Sequence, residues 1–479
     1  MVTAQTFVGL MPEILAFLFS MLVLLVGVFV PRASGLTTGL AAFGALATFV
    51  ATVVLLVVRF EGSFFGDAYV VDDFALYFKL IVALSAFFTV LAASRWSGQT
   101  GDAPEYLTLI LSVAVGAMLL VSMRDLFGIF VAIELATIPS YALVAFDRTR
   151  RESAEGGMKY LLTGMIAASI LLYGIVLIYG VSGSANLAEI SRTFTEDLSS
   201  SPVALLGLVL LISGFAFKVS AAPFHFWTPD AYQGAPTSAA AFLSVAPKAA
   251  TFAVLLRIFL EGMPDAAASW TAVAAVLAIV TMFIGNLFAL RQSNVRRMLA
   301  YSSVAHSGYI LVAFAALQGA GVERAVQAVL IYSAAYALMN LGAFFVIDLV
   351  GEEAKSYNGL FRTRPGVALS MAIFMAALVG IPPLSGFWGK AWIILAGVQS
   401  GSILTYVAVG SLVVNSVLSV PYYFGILRNM AFEEPVRGVE EPKGSSALKF
   451  SVYVLAIATT LFLLFIGPLS SLAQESGLL

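Results

Sequence analysis

The stretch PVALLGLVLLISGFAFKVSAAPFHFWTPD, residues 202–230, opens as an unbroken apolar run and then admits Lys218, Pro223 and His225. About 20 apolar residues in a helix cross a hydrocarbon core of roughly 30 Å, so 203–226 reads as a membrane span. Pro223 lacks an N–H and collides with the carbonyl of residue 219, which predicts that the helix opens one residue after Lys218. Non-helical backbone at membrane depth is tolerated only where protein or a water-filled cavity satisfies it. The stretch therefore predicts a discontinuous membrane helix built around a buried lysine, with free carbonyls at the break holding water beside the ammonium.

Similar runs recur along all 479 residues, of which 60% are hydrophobic and only 11% charged, against about a quarter charged in soluble domains. Mean hydropathy is +0.97. Fourteen spans are predicted, at about 8–30, 36–58, 74–93, 106–123, 125–146, 157–181, 203–226, 237–260, 270–290, 298–318, 325–347, 366–396, 402–427 and 450–472. The expected fold is an all-α polytopic membrane protein forming one integral membrane domain over 1–479. A transmembrane barrel is excluded, because its strands are about ten residues long and alternate in polarity. The first run has no Lys or Arg before it and is too long for a signal peptide, so it reads as a retained helix. The longest polar loops, 182–202 and 428–449, leave no room for a separate soluble domain.

Net charge is −2, which offers no basic surface for nucleic acid. Cysteine is absent and histidine occurs twice, at His225 and His306. Iron–sulfur clusters need thiolates, and haem sites need His, Cys or Met–His ligands. The chain is therefore expected to hold no cofactor or metal and to carry no electrons itself.

Of 25 basic residues, fifteen fall in loops after odd-numbered spans, from Arg32 to Lys449. Five, namely Arg59, Arg124, Arg192, Arg257 and Arg324, follow even-numbered spans or, for Arg257, fall in the last turn of one. The positive-inside rule then places the first set in the cytoplasm and both termini outside it. The remaining five are lysines inside spans: Lys79, Lys159, Lys218, Lys248 and Lys390. No arginine is expected to be buried. Arginine stays charged at any realistic pH, whereas a buried lysine can release its proton. Among 27 acids only Glu134 is expected well inside a span, since Glu13 falls in the first turns of the first span.

At about 1.5 Å rise per residue, Glu134 lies roughly 14 Å into the fifth span, and Lys218 and Lys248 lie near the midplane. Charged and facing lipid, such groups cost about 3 to 10 kcal/mol or more. One acid cannot neutralise three deep lysines, so some must be neutral or hydrated, as in a proton relay. Lys79 and Lys159 sit nearer span ends, where snorkelling to the headgroups accounts for them equally well. His306, in YSSVAHSGYI, reads either as a packing histidine or as a relay member with Ser302 and Ser303. Asn286, Asn340 and Asn415 read as interhelical hydrogen-bond glue.

A second break appears in LVGIPPLSGFWGK, where Pro382, Pro383 and Gly386 precede Lys390. The two breaks lie five spans apart, so their segments run in opposite directions. That is the footprint of an inverted repeat: spans 4–8 (106–260) against spans 9–13 (270–427), with helices 7 and 12 discontinuous. Residues 1–105 then hold three extra helices, and 428–479 a cytoplasmic loop and the last helix.

The motifs FKVSAAPFHFWTPDAYQGAPT, FLSVAPKAATF, IELATIPSYAL, GNLFALRQSNVRRMLAYSSVAHSGYI and GIPPLSGFWGK together resemble the subunit N family of the proton-pumping NADH:quinone oxidoreductase, respiratory complex I. The form PFHFWTPDAYQG and Lys390, where an M-type chain would carry glutamate, favour N over the related L and M types. The resemblance implies that Glu134 pairs with Lys218, that Lys248 is the central relay lysine and Lys390 the terminal one, and that Lys159 has a family counterpart. It also implies partners: other membrane subunits, including L/M-type antiporter-like chains and small membrane subunits, in the bacterial plasma (inner) membrane. NADH, flavin, iron–sulfur clusters and quinone are expected in partner subunits.

The expected function is proton translocation from cytoplasm to outside through a Glu134–Lys218–Lys248–Lys390 relay, driven by quinone reduction elsewhere. His225 reads as a proton-entry group or as packing beside Trp227. The competing readings are a subunit of a cation/proton antiporter and a non-pumping structural subunit.

Overall fold

Each apolar run becomes a helix in the computed structural model, which describes residues 3–30, 34–93, 102–193, 201–435 and 445–474. In chain order the main helices are α1 (Met11–Phe29), α2 (Ser34–Val57), α3 (Asp73–Ala93), α4 (Ala103–Ser122), α5 (Leu126–Val144) and α6 (Arg151–Ser182). They continue as α7 (Pro202–Lys218), α8 (Trp227–Gly234), α9 (Thr237–Arg257), α10 (Ala267–Ala289), α11 (Val295–Ala315) and α12 (Val322–Val350). The last are α13 (Pro365–Val379), α14 (Ser385–Gln399), α15 (Ile403–Phe432), α16 (Ser445–Thr460) and α17 (Ile466–Gln474).

Local chemistry sets many ends. Asp125, Ser201, Asn294 and Ser402 each accept an N–H from the first turn of the helix they precede, satisfying a donor that has no intrahelical partner. Pro104, Pro202 and Pro365 occupy first-turn positions, where a missing N–H costs nothing. Gly183 and Gly380 close α6 and α13 in the left-handed conformation, which favours glycine.

Among the described residues eleven helices are long and apolar enough to cross a membrane, and a twelfth crossing results if α16 and α17, bent by 65°, count as one. The predicted spans 203–226 and 366–396 are not continuous helices. The first is helical only to Lys218, and the second is split into α13 and α14. The expected fourteen thus depends on counting each broken segment as one crossing. The chain also contains a two-stranded antiparallel hairpin, β1 (Gly62–Phe64) with β2 (Tyr69–Val71), where the expected fold was all-α. Of the basic residues used for orientation, Arg32, Arg95, Arg437 and Lys443 lie outside the described residues.

Helices α9, α11 and α12 are buried on nearly every face, whereas α1, α2 and α15 expose one side. A helix that is apolar all round belongs in a core, and these three carry Lys248, His306 and the tyrosines beside them. Lipid tails are as apolar as leucine, so membrane helices are held by close packing and hydrogen bonds. Gly285 of α10 meets the backbone at Ala305 of α11, where a Cβ would overlap it. Asn286 of α10 donates to Asn415 of α15 at 3.0 Å and accepts from the Tyr422 hydroxyl at 2.8 Å. Asn340 of α12 donates to Ser244 of α9 at 2.6 Å. All three asparagines therefore bind helix to helix, as their sequence context suggests.

Candidate functional site

Lys218 is the last residue of α7, where the negative end of the helix dipole favours a cation. Its Nζ donates to Thr137 Oγ1 at 2.7 Å and lies 3.3 Å from Glu134 Oε1. Thr137 and Glu134 stand one turn apart on α5, so one helix face supplies both partners. The lysine side chain is 7% exposed and the carboxylate 20%. Beyond Lys218 the chain turns sharply, with Ser220 at φ +61° and a cis bond before Pro223. Phe215, Ala216 and Phe217 accept from the N–H groups of Val219, Ala221 and Ser220, because the turn folds back onto the helix end. Phe217 also accepts from Trp227 Nε1 at 3.1 Å, which ties α8 to the lysine turn. Room beside the ammonium lies on another side. A cavity of about 20 Å³ is walled by Thr137, Ser140, Tyr160, Lys218, Pro247 and Thr251, among others, and by volume it suits one water.

Pro247 of that wall precedes Lys248, the next group in the row. Lys248 Nζ donates to Ser303 Oγ at 2.7 Å and stands over the Tyr232 ring at 5.8 Å. A smaller cavity, about 10 Å³, is shared by Lys248, His306, Ser307, Ser333 and Tyr336. His306 bridges onward, with Nδ1 2.6 Å from the Tyr332 hydroxyl and Nε2 3.2 Å from that of Tyr423. Tyr423 is in turn 2.5 Å from Ser302 Oγ. Tyr332 packs into the space left by Gly389, one residue before Lys390.

Lys390 begins on α14 but its ammonium reaches back across the second break. It donates to the carbonyls of Val379 at 2.7 Å and Leu378 at 3.3 Å, the end of α13, and stands 4.6 Å over the Tyr309 ring. A largely apolar cleft of about 580 Å³ between α14 and α15 also reaches it. Among the described residues no carboxylate pairs with Lys248 or Lys390. Hydroxyls, carbonyls and ring faces are what a proton at either position has for company.

Three sequence expectations change. Lys79 does not snorkel. It is fully buried, with Nζ 2.8 Å from both Glu13 Oε1 and the Tyr69 hydroxyl, because the hairpin folds Tyr69 over the end of α3. Glu13 is the acid of this pair: it stands in the first turn of α1, as expected, but is only 4% exposed. Arginine is buried too. Arg257 is 0% exposed, held by Asp72 at 2.6 Å and Glu261 at 2.8 Å, while Arg296 bonds Gln233, Ala235 and Thr237. Loop carboxylates and carbonyls cover these helix ends and satisfy the guanidinium donors. Lys159 is 46% exposed and lies outside the buried row, 2.7 Å from both Glu155 and Asp230.

Asp230 lies beyond the predicted span 203–226 and also receives Arg297 at 2.5 Å. Burial pushes its carboxyl up, but hydrogen bonds from Lys159 and Arg297 outweigh this and hold it below the usual carboxylate range. His225 is buried, and its Nδ1 has no hydrogen-bond partner among the described residues. Its ring packs on Phe226 at 4.5 Å. Thr137, Tyr309, Tyr332 and Tyr423 were not singled out from the sequence. Their only signal is a hydroxyl inside an apolar run, which is common in helices that merely pack.

Residues 123–419 match the family described as "NADH:quinone oxidoreductase/Mrp antiporter, TM". The chain is also 71% identical, over the full length of both sequences, to NADH-quinone oxidoreductase subunit N of Rubrobacter xylanophilus. The chain belongs to the subunit N family. Its fold agrees: a chain of respiratory complex I from Thermus thermophilus superposes with a TM-score of 0.79 at 31% identity, covering 96% of this chain and 99% of that one. A chain of the Mrp complex from Dietzia superposes with a TM-score of 0.83 over 97% of each chain, but at 22% identity that likeness is one of fold. The family match takes in Glu134, Lys218, Lys248 and Lys390 and leaves out Glu13 and Lys79.

Proposed function

We propose that the chain serves as the antiporter-like membrane subunit N of an NADH-quinone oxidoreductase and moves protons outward through Glu134, Lys218, Lys248 and Lys390. One observation carries this reading: the buried row from Glu134 and Lys218 through Lys248, Ser303, His306 and Tyr332 to Lys390. Its ends are the two helix breaks, and each gap between lysines is lined by hydroxyls or a cavity of water size. The two broken segments belong to inverted repeats, 106–260 and 270–427. The chain works in a bacterial plasma membrane beside L/M-type and small membrane subunits. NADH, flavin, iron–sulfur clusters and quinone belong to partner subunits.

The gate is Glu134. An opposite charge nearby favours the ammonium form of Lys218. Drawing the two apart removes that support, and the proton passes by way of Thr137 and water to Lys248. From there Ser303, His306 and Tyr332 lead it to Lys390 for release outside. Breaking a buried pair costs about 3–5 kcal/mol, and moving one charge against 100 mV costs about 2.3 kcal/mol. A pair parted by work done elsewhere thus stores, in the unsupported Lys218 proton, enough free energy to move one charge when that proton leaves.

In the assembled complex, Lys248→Ala should reduce the protons delivered per NADH oxidised, read with a pH-sensitive dye in vesicles. Undiminished delivery would overturn the relay. The antiporter reading draws on the breadth of the matched family. It predicts that cells lacking the gene lose sodium tolerance while NADH oxidation continues.

A further inference from the structure

Helix α8 touches both halves of the proposed row. At its start Trp227 donates to Phe217, the residue before Lys218, and stacks on Tyr160 of α6 at 4.2 Å. Near its end Tyr232 presents its ring to Lys248 and its hydroxyl to the Leu243 carbonyl of α9. Between them, Asp230 is gripped from two sides. Lys159 of α6 holds Oδ2 at 2.7 Å and Arg297 of α11 holds Oδ1 at 2.5 Å. Arg297 also bonds Gln233 at 2.9 Å, and its neighbour Arg296 caps the Gln233 and Ala235 carbonyls that end α8. Two glycines close the contact with α6: a Cβ at Gly156 would overlap the Asp230 carbonyl, and one at Gly234 would overlap Glu152. Helix α11, which supplies Arg297, also carries Ser303 and His306 beside Lys248.

We infer that α8 is a rigid strut linking the Lys218 and Lys248 sites, with Asp230 as its anchor and Lys159 as a positioning residue acting through Asp230. Lys159 keeps its proton and relays none in this arrangement, since its ammonium is committed to Glu155 and Asp230 at the half-exposed edge of the bundle. Displacing the anchor lets α8 shift, moving Trp227 away from the Lys218 turn and Tyr232 away from Lys248 together. The inference rests on the relay proposed above.

The test compares proton-to-electron ratios of assembled complexes in vesicles. Asp230→Asn keeps the shape and removes the charge, and it should lower the ratio about twofold or more, the scale of coupling changed by a residue that contacts neither end. Lys159→Ala should do likewise, while Lys159→Arg should restore the wild-type ratio, because guanidinium keeps the charge and the donors but cannot release a proton. An arginine variant as damaged as the alanine variant would make Lys159 a proton carrier and overturn the inference, as would an unchanged ratio in Asp230→Asn. If Asp230→Asn fails to assemble, the Lys159 pair of variants decides alone. Lys218→Ala separates the two claims: an unchanged ratio there removes the relay itself, whereas a lowered ratio with a normal Asp230→Asn removes only the strut.

Discussion

At the scale of single residues, the same buried lysine side chain meets three different fates. Lys218 has a carboxylate, Lys248 and Lys390 have hydroxyls, carbonyls and rings, and Lys79 is locked against Glu13 and Tyr69 at 2.8 Å. Removing one member of a buried pair leaves the other charge without compensation, which costs about 3–5 kcal/mol. Lys79→Ala should therefore lower the thermal midpoint of the detergent-solubilised complex, and the double variant Glu13→Gln with Lys79→Met should recover most of it. A single variant as stable as the wild type would contradict the pairing. This ion pair was invisible in the sequence because its members are 66 residues apart and each sits near a span end, where snorkelling is the ordinary outcome. Glu134 and Lys218 were easier to pick out, since both lie too deep for their side chains to reach the headgroups.

At the scale of elements, helix positions were legible because apolar runs and their polar flanks are local properties. Predicted spans 74–93 and 325–347 fall within a few residues of α3 and α12. Both breaks were legible from proline chemistry, which also acts within a few residues. The hairpin at Gly62–Val71 was not, because its strands are three residues long and their stability comes from packing against Leu55 of α2, Leu76 of α3 and Leu119 of α4. The second break depends on close approach as well as on proline. A Cβ at Gly386 would overlap the Ala377 carbonyl, so Gly386→Ala should push α14 off α13 and carry Lys390 away from Leu378 and Val379. Overpacking of this kind costs about 1–3 kcal/mol, and a reduced yield of intact complex should report it. Normal yield with normal pumping would show that the two half-helices need not touch.

At the scale of the whole molecule, the chain divides into a quiet part and a working part. Helices α1 and α2 expose an apolar side, and Glu13 of α1 locks onto Lys79 of α3. The segment matched by the family, 123–419, holds every member of the proposed row. A row this long transmits a local event only if its groups keep their spacing, and rigid helices that are buried all round supply that spacing. The most direct measurement is the proton-to-electron ratio of the assembled complex carrying Lys218→Ala, reconstituted in sealed vesicles. Quinone reduction should continue with fewer protons moved per electron. An unchanged ratio would contradict it.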